Sequence, residues 1–176
     1  MLRSVLALSA LLLTACDSGT EAPPQAVPLV HGTYLASWTV NEDGPGDNRR
    51  TRSEYVLSVR ITEAGGVLSQ FPGNAGDVTI TRELIDTNTG NTTNRLSRSA
   101  DVRLVTGALD TQGRTFDLQI RGEGGDYVFE ATMAGSLGTT YAQLRGPMVG
   151  RLYNADNPDE PTTTFPIDQT VTFNQQ

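Results

Sequence analysis

Residues 53–62 read SEYVLSVRIT, and their spacing decides the fold. Tyr55, Leu57, Val59 and Ile61 fall on one side of a period of two, with Ser58, Arg60 and Thr62 on the other. A strand sends successive side chains to opposite faces, so this run buries one face and wets the other. The pattern recurs along the chain. In RTFDLQIR, residues 114–121, Phe116, Leu118 and Ile120 oppose Asp117, Gln119 and Arg121. In DYVFEATMAG, residues 126–135, Tyr127, Phe129, Ala131 and Met133 group together, and ADVRLV sets Val102 and Leu104 against Asp101 and Arg103. One apolar and one polar face per strand marks antiparallel sheet.

Turn residues separate these runs at hairpin intervals. Ala64-Gly65-Gly66, Asp110-Thr111-Gln112-Gly113 and Gly122-Glu123-Gly124-Gly125-Asp126 supply positions that tolerate positive φ. The spacing predicts strands near 32–40, 53–63, 66–71, 77–86, 98–107, 114–121, 126–134, 140–145, 148–153 and 164–174. Polar loops are expected at 41–52, 87–97 and 154–163. No stretch beyond residue 16 carries a helical stripe. The expected fold is all-β, an antiparallel up-and-down meander of about eight to ten strands closed into a barrel, which removes exposed edges. A two-sheet sandwich is the alternative.

The N-terminus has a different character. Arg3 precedes an apolar run from Ser4 to Leu13, then Thr14, Ala15 and the single cysteine, Cys16. One positive charge, a short apolar segment and small residues before a cut site describe a secretory signal peptide over 1–15, too short for a bilayer span of roughly 20 residues. Residues 16–30 hold three prolines among small polar residues and read as a linker, leaving 31–176 as one domain.

Leu13-Thr14-Ala15-Cys16 resembles the lipobox of bacterial lipoproteins. That resemblance implies cleavage before Cys16, a diacylglyceryl group on its thiol, and anchorage to a membrane of the bacterial envelope, with either leaflet open. Two or three acyl chains would make the attachment effectively permanent, since each buried CH₂ contributes about 0.8 kcal/mol. Further along, Gly32-Thr33-Tyr34, with Trp38 displaced downstream, resembles the Gly-x-Trp opening of lipocalin-like barrels. Gly135-Ser136-Leu137-Gly138 and then Leu144-Arg145-Gly146-Pro147-Met148-Val149-Gly150 are similar to the strands of small calycin-like bacterial lipoproteins. The likeness implies a calycin-like barrel and assigns no binding residue.

Charge and residue types narrow the chemistry. Without Arg3, 20 acidic and 12 basic residues remain, a formal charge of −8, and every basic residue is arginine. Such a surface repels phosphate backbones, so nucleic acid is not an expected partner. With one histidine, His31, and the one cysteine assigned to lipid, N/S-type zinc or copper sites and a Ser-His-acid triad are not expected, and no cofactor is implied. Loop carboxylates are what remains for acid–base work: Glu42, Asp43 and Asp47 in one loop, Asp156, Asp159 and Glu160 in another. The same loops, with Asn41, Asn48, Asn154 and Asn157, offer oxygen ligands for Ca²⁺ without the spacing of a known Ca²⁺ loop. A hydrolase or a Ca²⁺-binding domain is therefore the alternative to a non-enzymatic binding or structural module of the envelope. If a ligand binds, it is expected inside the barrel, apolar and small, among Tyr34, Trp38, Tyr55, Phe116, Tyr127 and Phe129, with Leu57 and Leu118. Its way in is expected between loops 41–52 and 87–97. Other envelope proteins are the remaining candidate partners.

Overall fold

The computed structural model describes residues 30–110, 112–160 and 164–176. The signal peptide, Cys16 and linker residues 17–29 lie outside the described residues. Nine strands follow one another: β1 (Gly32–Asp43), β2 (Arg49–Ala64), β3 (Val67–Gln70), β4 (Gly76–Asp86), β5 (Thr92–Leu109), β6 (Thr115–Gly124), β7 (Tyr127–Leu137), β8 (Gln143–Asn154) and β9 (Phe165–Gln175). All pairings are antiparallel. The sheet runs β1-β9-β8-β7-β6-β5, then through β3 and β4 to β2, and β2 pairs β1 to close the ring. The short β3 and the longer β4 share one position between β2 and β5: β3 takes Ile61–Ala64 of β2, and β4 takes Arg49–Val59. The result is a barrel-like meander, as the period of two predicts.

The alternation of SEYVLSVRIT is kept in three dimensions. Tyr55, Leu57, Val59 and Ile61 are buried, and they meet Tyr34, Val78, Ile80, Leu118, Ile120, Phe129, Met133, Leu144, Met148, Leu152, Phe165, Val171 and Phe173 in one continuous core. Val30, placed by its sequence in the linker, is also fully buried. Leu104 is the exception within ADVRLV. The β5–β6 register shifts between Val102 and Leu104, so Val105 turns inward and Leu104 is left 43% exposed. A bulge adds one residue to one strand and reverses the parity beyond it.

Two further differences concern strand length. The runs 140–145 and 148–153 belong to a single strand, β8, which passes straight through Gly146-Pro147. The expected loops 41–52 and 87–97 are mostly strand, with connections reduced to residues 44–48 and 87–91. Polar residues continue the ladder there because hairpin partners satisfy their backbone groups: β1 pairs β2 out to Asp43↔Arg50, and β2 pairs β4 out to Arg49↔Asp86.

These extensions shape one end of the molecule. β6 meets β5 only from Asp101 onward, and β1 meets β9 only at Tyr34↔Gln175 and Leu35↔Asn174. Beyond those points β1, β2, β4 and β5 project as a four-stranded arm, whose inner face continues the barrel interior.

Candidate functional site

Strand register fixes the inner face of this arm as rows of four residues. The deepest row is Trp38, Tyr55, Ile80 and Arg98; the next is Val40, Ser53, Arg82 and Leu96; the outermost is Glu42, Thr51, Leu84 and Asn94. Polarity rises from the core outward. Facing the arm, the start of β9 and the β8–β9 connection contribute Pro158, Asp159, Thr164 and Pro166, with Arg151 from β8. A Thr164 Oγ1 bond to the Pro158 carbonyl (3.1 Å) ties the two ends of that connection together. Between the two walls lies an open cleft of about 730 Å³.

Tyr55 and Trp38 belong to the row of the arm nearest the core, behind the cleft lining. Their rings stack at 5.0 Å and 5°. The Tyr55 hydroxyl donates across the barrel to the Pro166 carbonyl at 3.0 Å. Burial raises the pKa of this phenol, and the positive charge of Arg82 offsets part of the rise. The indole Nε1 of Trp38 is buried with no hydrogen-bond partner among the described residues.

Three arginines at this end are half-buried. Arg151 is paired with Glu130 (3.2 Å) and reaches Asp159 (3.9 Å), and Tyr153 lies under its guanidinium. Arg98 donates to the Tyr127 hydroxyl (2.6 Å) and to the Ser97 carbonyl (2.8 Å). Arg82 differs from both. Its guanidinium lies 4.3 Å over the Phe165 ring, one terminal nitrogen makes a long 3.4 Å bond to the Thr164 carbonyl, and its Nε is buried without a partner among the described residues. Among the described residues no carboxylate lies within 4.0 Å of it.

The six aromatic residues singled out in the sequence do not converge on this cleft. Tyr34, Tyr55, Phe116 and Phe129 are buried in the core, Trp38 and Tyr127 are half-buried, and none of the six lines the opening. Tyr34 works at the opposite end, its hydroxyl donating to the Tyr141 carbonyl at 3.2 Å. The residues that do line the cleft, Arg82, Leu84, Asn94 and Leu96 above all, were not singled out by sequence. A signal for them existed. In VTITRELI an arginine occupies the inward parity of Val78, Ile80 and Leu84, and a charge at such a position needs a reason.

The loop acids are spread out. Glu42 reaches the cleft from the end of β1 and Asp159 from the β8–β9 connection, both solvent-exposed, and among the described residues no three acidic, histidine or cysteine side chains gather as metal ligands. His31 sits at the head of β1, edge-on to Phe71 at 4.7 Å and 3.3 Å from the Thr62 hydroxyl. Scans against protein-family models, curated proteins and solved structures return no match.

Proposed function

We propose that this chain is a lipid-anchored protein of the bacterial envelope, held through Cys16, and that its barrel is a binding module rather than an enzyme. The anchor rests on the lipobox-like Leu13-Thr14-Ala15-Cys16 alone. The binding role rests on the cleft at the barrel mouth, which is large enough for a small molecule and offers Leu84, Leu96, Pro45, Pro158 and Pro166 as apolar lining. The ligand is received at this mouth. The interior above it is occupied by Phe129, Met133, Met148, Phe173 and their neighbours, all at most 2% exposed. Glu42 and Asp159 are solvent-exposed, and Asp159 also faces Arg151, so the two acids are not gathered in an apolar recess of the kind acid–base hydrolysis uses.

Intact-mass spectrometry of protein purified from membranes is expected to find a chain beginning at Cys16 with a diacylglyceryl increment, and Cys16→Ser is expected to release the protein from the membrane fraction or leave it uncut. An unmodified mature end at another residue would refute the anchor. For the mouth, the neutral probe benzamide is expected to bind the full-length protein in phosphatidylcholine nanodiscs, seen by saturation-transfer NMR, and Leu96→Asp is expected to abolish the signal.

A further inference from the structure

Among the described residues Arg82 is the one half-buried arginine at the mouth whose guanidinium lacks a strong partner. In a chain with 20 acidic and 13 basic residues, a guanidinium held off water would be expected to find a carboxylate. Arg151 finds two and Arg98 finds a phenol, yet Arg82 has only the long Thr164 bond and an orphaned Nε. Its position is fixed all the same. The Phe165 ring lies beneath its plane, its cross-strand neighbours are Ser53 and Leu96, and it belongs to the cleft lining. A planar fork of donors, pre-oriented by stacking and with donor capacity unused, is the arrangement that grips an oxyacid edge-on.

We propose that Arg82 is the anchoring residue for a small carboxylate ligand whose apolar body lies along Leu84 and Leu96; this rests on the reading of the mouth as the ligand-receiving site. The charge count argues for a monoanion. Arg151, the other cation of the lining, is already paired with Glu130 and Asp159, so Arg82 has one positive charge to offer while Glu42 at the rim repels a second negative one, and a carboxylate fits where a phosphate dianion does not. The Leu84 and Leu96 side chains occupy neighbouring strands, one row apart on the same face, and offer an apolar shelf beside the fork. Specificity then comes from the anion and affinity from the shelf.

The test compares benzoate with its neutral near-isostere benzamide and with the cation benzylamine, on full-length protein in phosphatidylcholine nanodiscs, by saturation-transfer titration and thermal unfolding. Benzoate is expected to bind about tenfold or more tightly than benzamide, the scale of one charge-assisted hydrogen-bonded contact, with benzylamine weakest. In Arg82→Met, which keeps the apolar stem over Phe165, that preference should vanish while benzamide binding persists. Arg82→Lys, which keeps the charge and loses the fork, should retain only part of it. Equal affinity for benzoate and benzamide in the unaltered protein overturns the assignment and leaves the mouth as a neutral site. A benzoate preference that survives in Arg82→Met, or in full in Arg82→Lys, also overturns it. If none of the three probes binds, the reading of the mouth itself falls. If Arg82→Met does not fold, equal affinity in the unaltered protein still overturns the assignment, and Arg82→Lys separates Arg82 from Arg151 as the source of any preference.

Discussion

Single side chains at turns set how this fold responds to acid. Asp110 closes the β5–β6 turn by accepting the Arg114 N–H at 2.6 Å and the Thr115 N–H at 3.2 Å. Those bonds, the Arg114 one foremost, hold its carboxyl below the ordinary carboxylate range. Asp86 does the same for the β4–β5 turn, accepting from Asn88 and Thr89. A pKa lowered by folding stabilises the folded state above the ordinary carboxylate value, and that stabilisation is lost as pH falls through the lowered one. Asp110→Asn keeps an acceptor oxygen and removes the charge. Its Tm is therefore expected to lie below that of the unaltered protein at pH 7, and the gap should close as pH falls through and below the ordinary carboxylate range. Thermal unfolding by circular dichroism across that range checks it; a gap that stays constant with pH would mean the charge is irrelevant at this turn. Asp110 opens the Asp110-Thr111-Gln112-Gly113 turn, legible from residue types alone, whereas Asp86 stands at the end of an expected strand and its turn role was not legible there. Arg82 was only partly legible, because parity says that a side chain points inward and says nothing of what it meets there.

At the level of the strand, β7 and β8 carry the feature that sequence reading divided in two. Gly146-Pro147 looks like a turn, and isolated proline usually ends a strand. Here the β7–β8 pairs run to Met133↔Met148 and resume at Ser136↔Arg145, so Pro147 sits where no ladder bond to β7 is required. Its pairing with Thr170 of β9 continues. The glycines explain the interruption. A Cβ on Gly146 would collide with the Ala134 carbonyl and stand 2.7 Å from the Gly135 Cα, backbone that cannot swing aside. The two strands press together at this point, and the presence of glycine at Gly135 and Gly146 has a steric cause. Gly146→Ala is expected to destabilise the protein by about 2–4 kcal/mol in urea unfolding, as overpacking against backbone does. Gly90→Ala, at φ 73° with open space around it, should cost only about 1 kcal/mol. If Gly146→Ala proved the milder change, close approach would not be what keeps a glycine there. The missed continuity of β8, like the strand content of 41–52 and 87–97, has one origin: ladder partners lie far away in sequence, and local composition does not report them.

Taken as one molecule, the ring is closed unevenly, and the unevenness coincides with the cleft. Period-two patterning was enough to give an antiparallel meander of the right size, because each strand buries one face. It could not give the thin seam, which depends on how far β9 follows β1. Only Tyr34 and Leu35 pair with β9, reinforced by the Gln176 N–H to the Thr33 carbonyl and by Gln175 Nε2 to the His31 carbonyl. Successive residues of a strand direct their backbone groups to opposite sides, so Thr33 facing β9 implies that Ser37, Thr39 and Asn41 face it too, across a gap without pairs. Edges of this kind invite foreign strands unless polar side chains blunt them, and β1 offers Ser37, Thr39, Asn41 and Asp43 along the stretch. The free first half of β5 carries Arg95 and Arg98 in the same role. A seam without ladder bonds is expected to let the β1–β2 hairpin move relative to β9 and so change the width of the mouth without breaking the core. Native-state hydrogen exchange by NMR distinguishes the two sides of one strand. Amides of Ser37, Thr39 and Asn41 are expected to exchange near the rate of unprotected peptide, while those of Ala36, Trp38 and Val40, which point to β2, stay protected by several orders of magnitude. Equal protection of all six would mean that β9 follows β1 to its end. The mouth would then be a rigid rim, and ligand entry would have to come from movement of the β8–β9 connection alone.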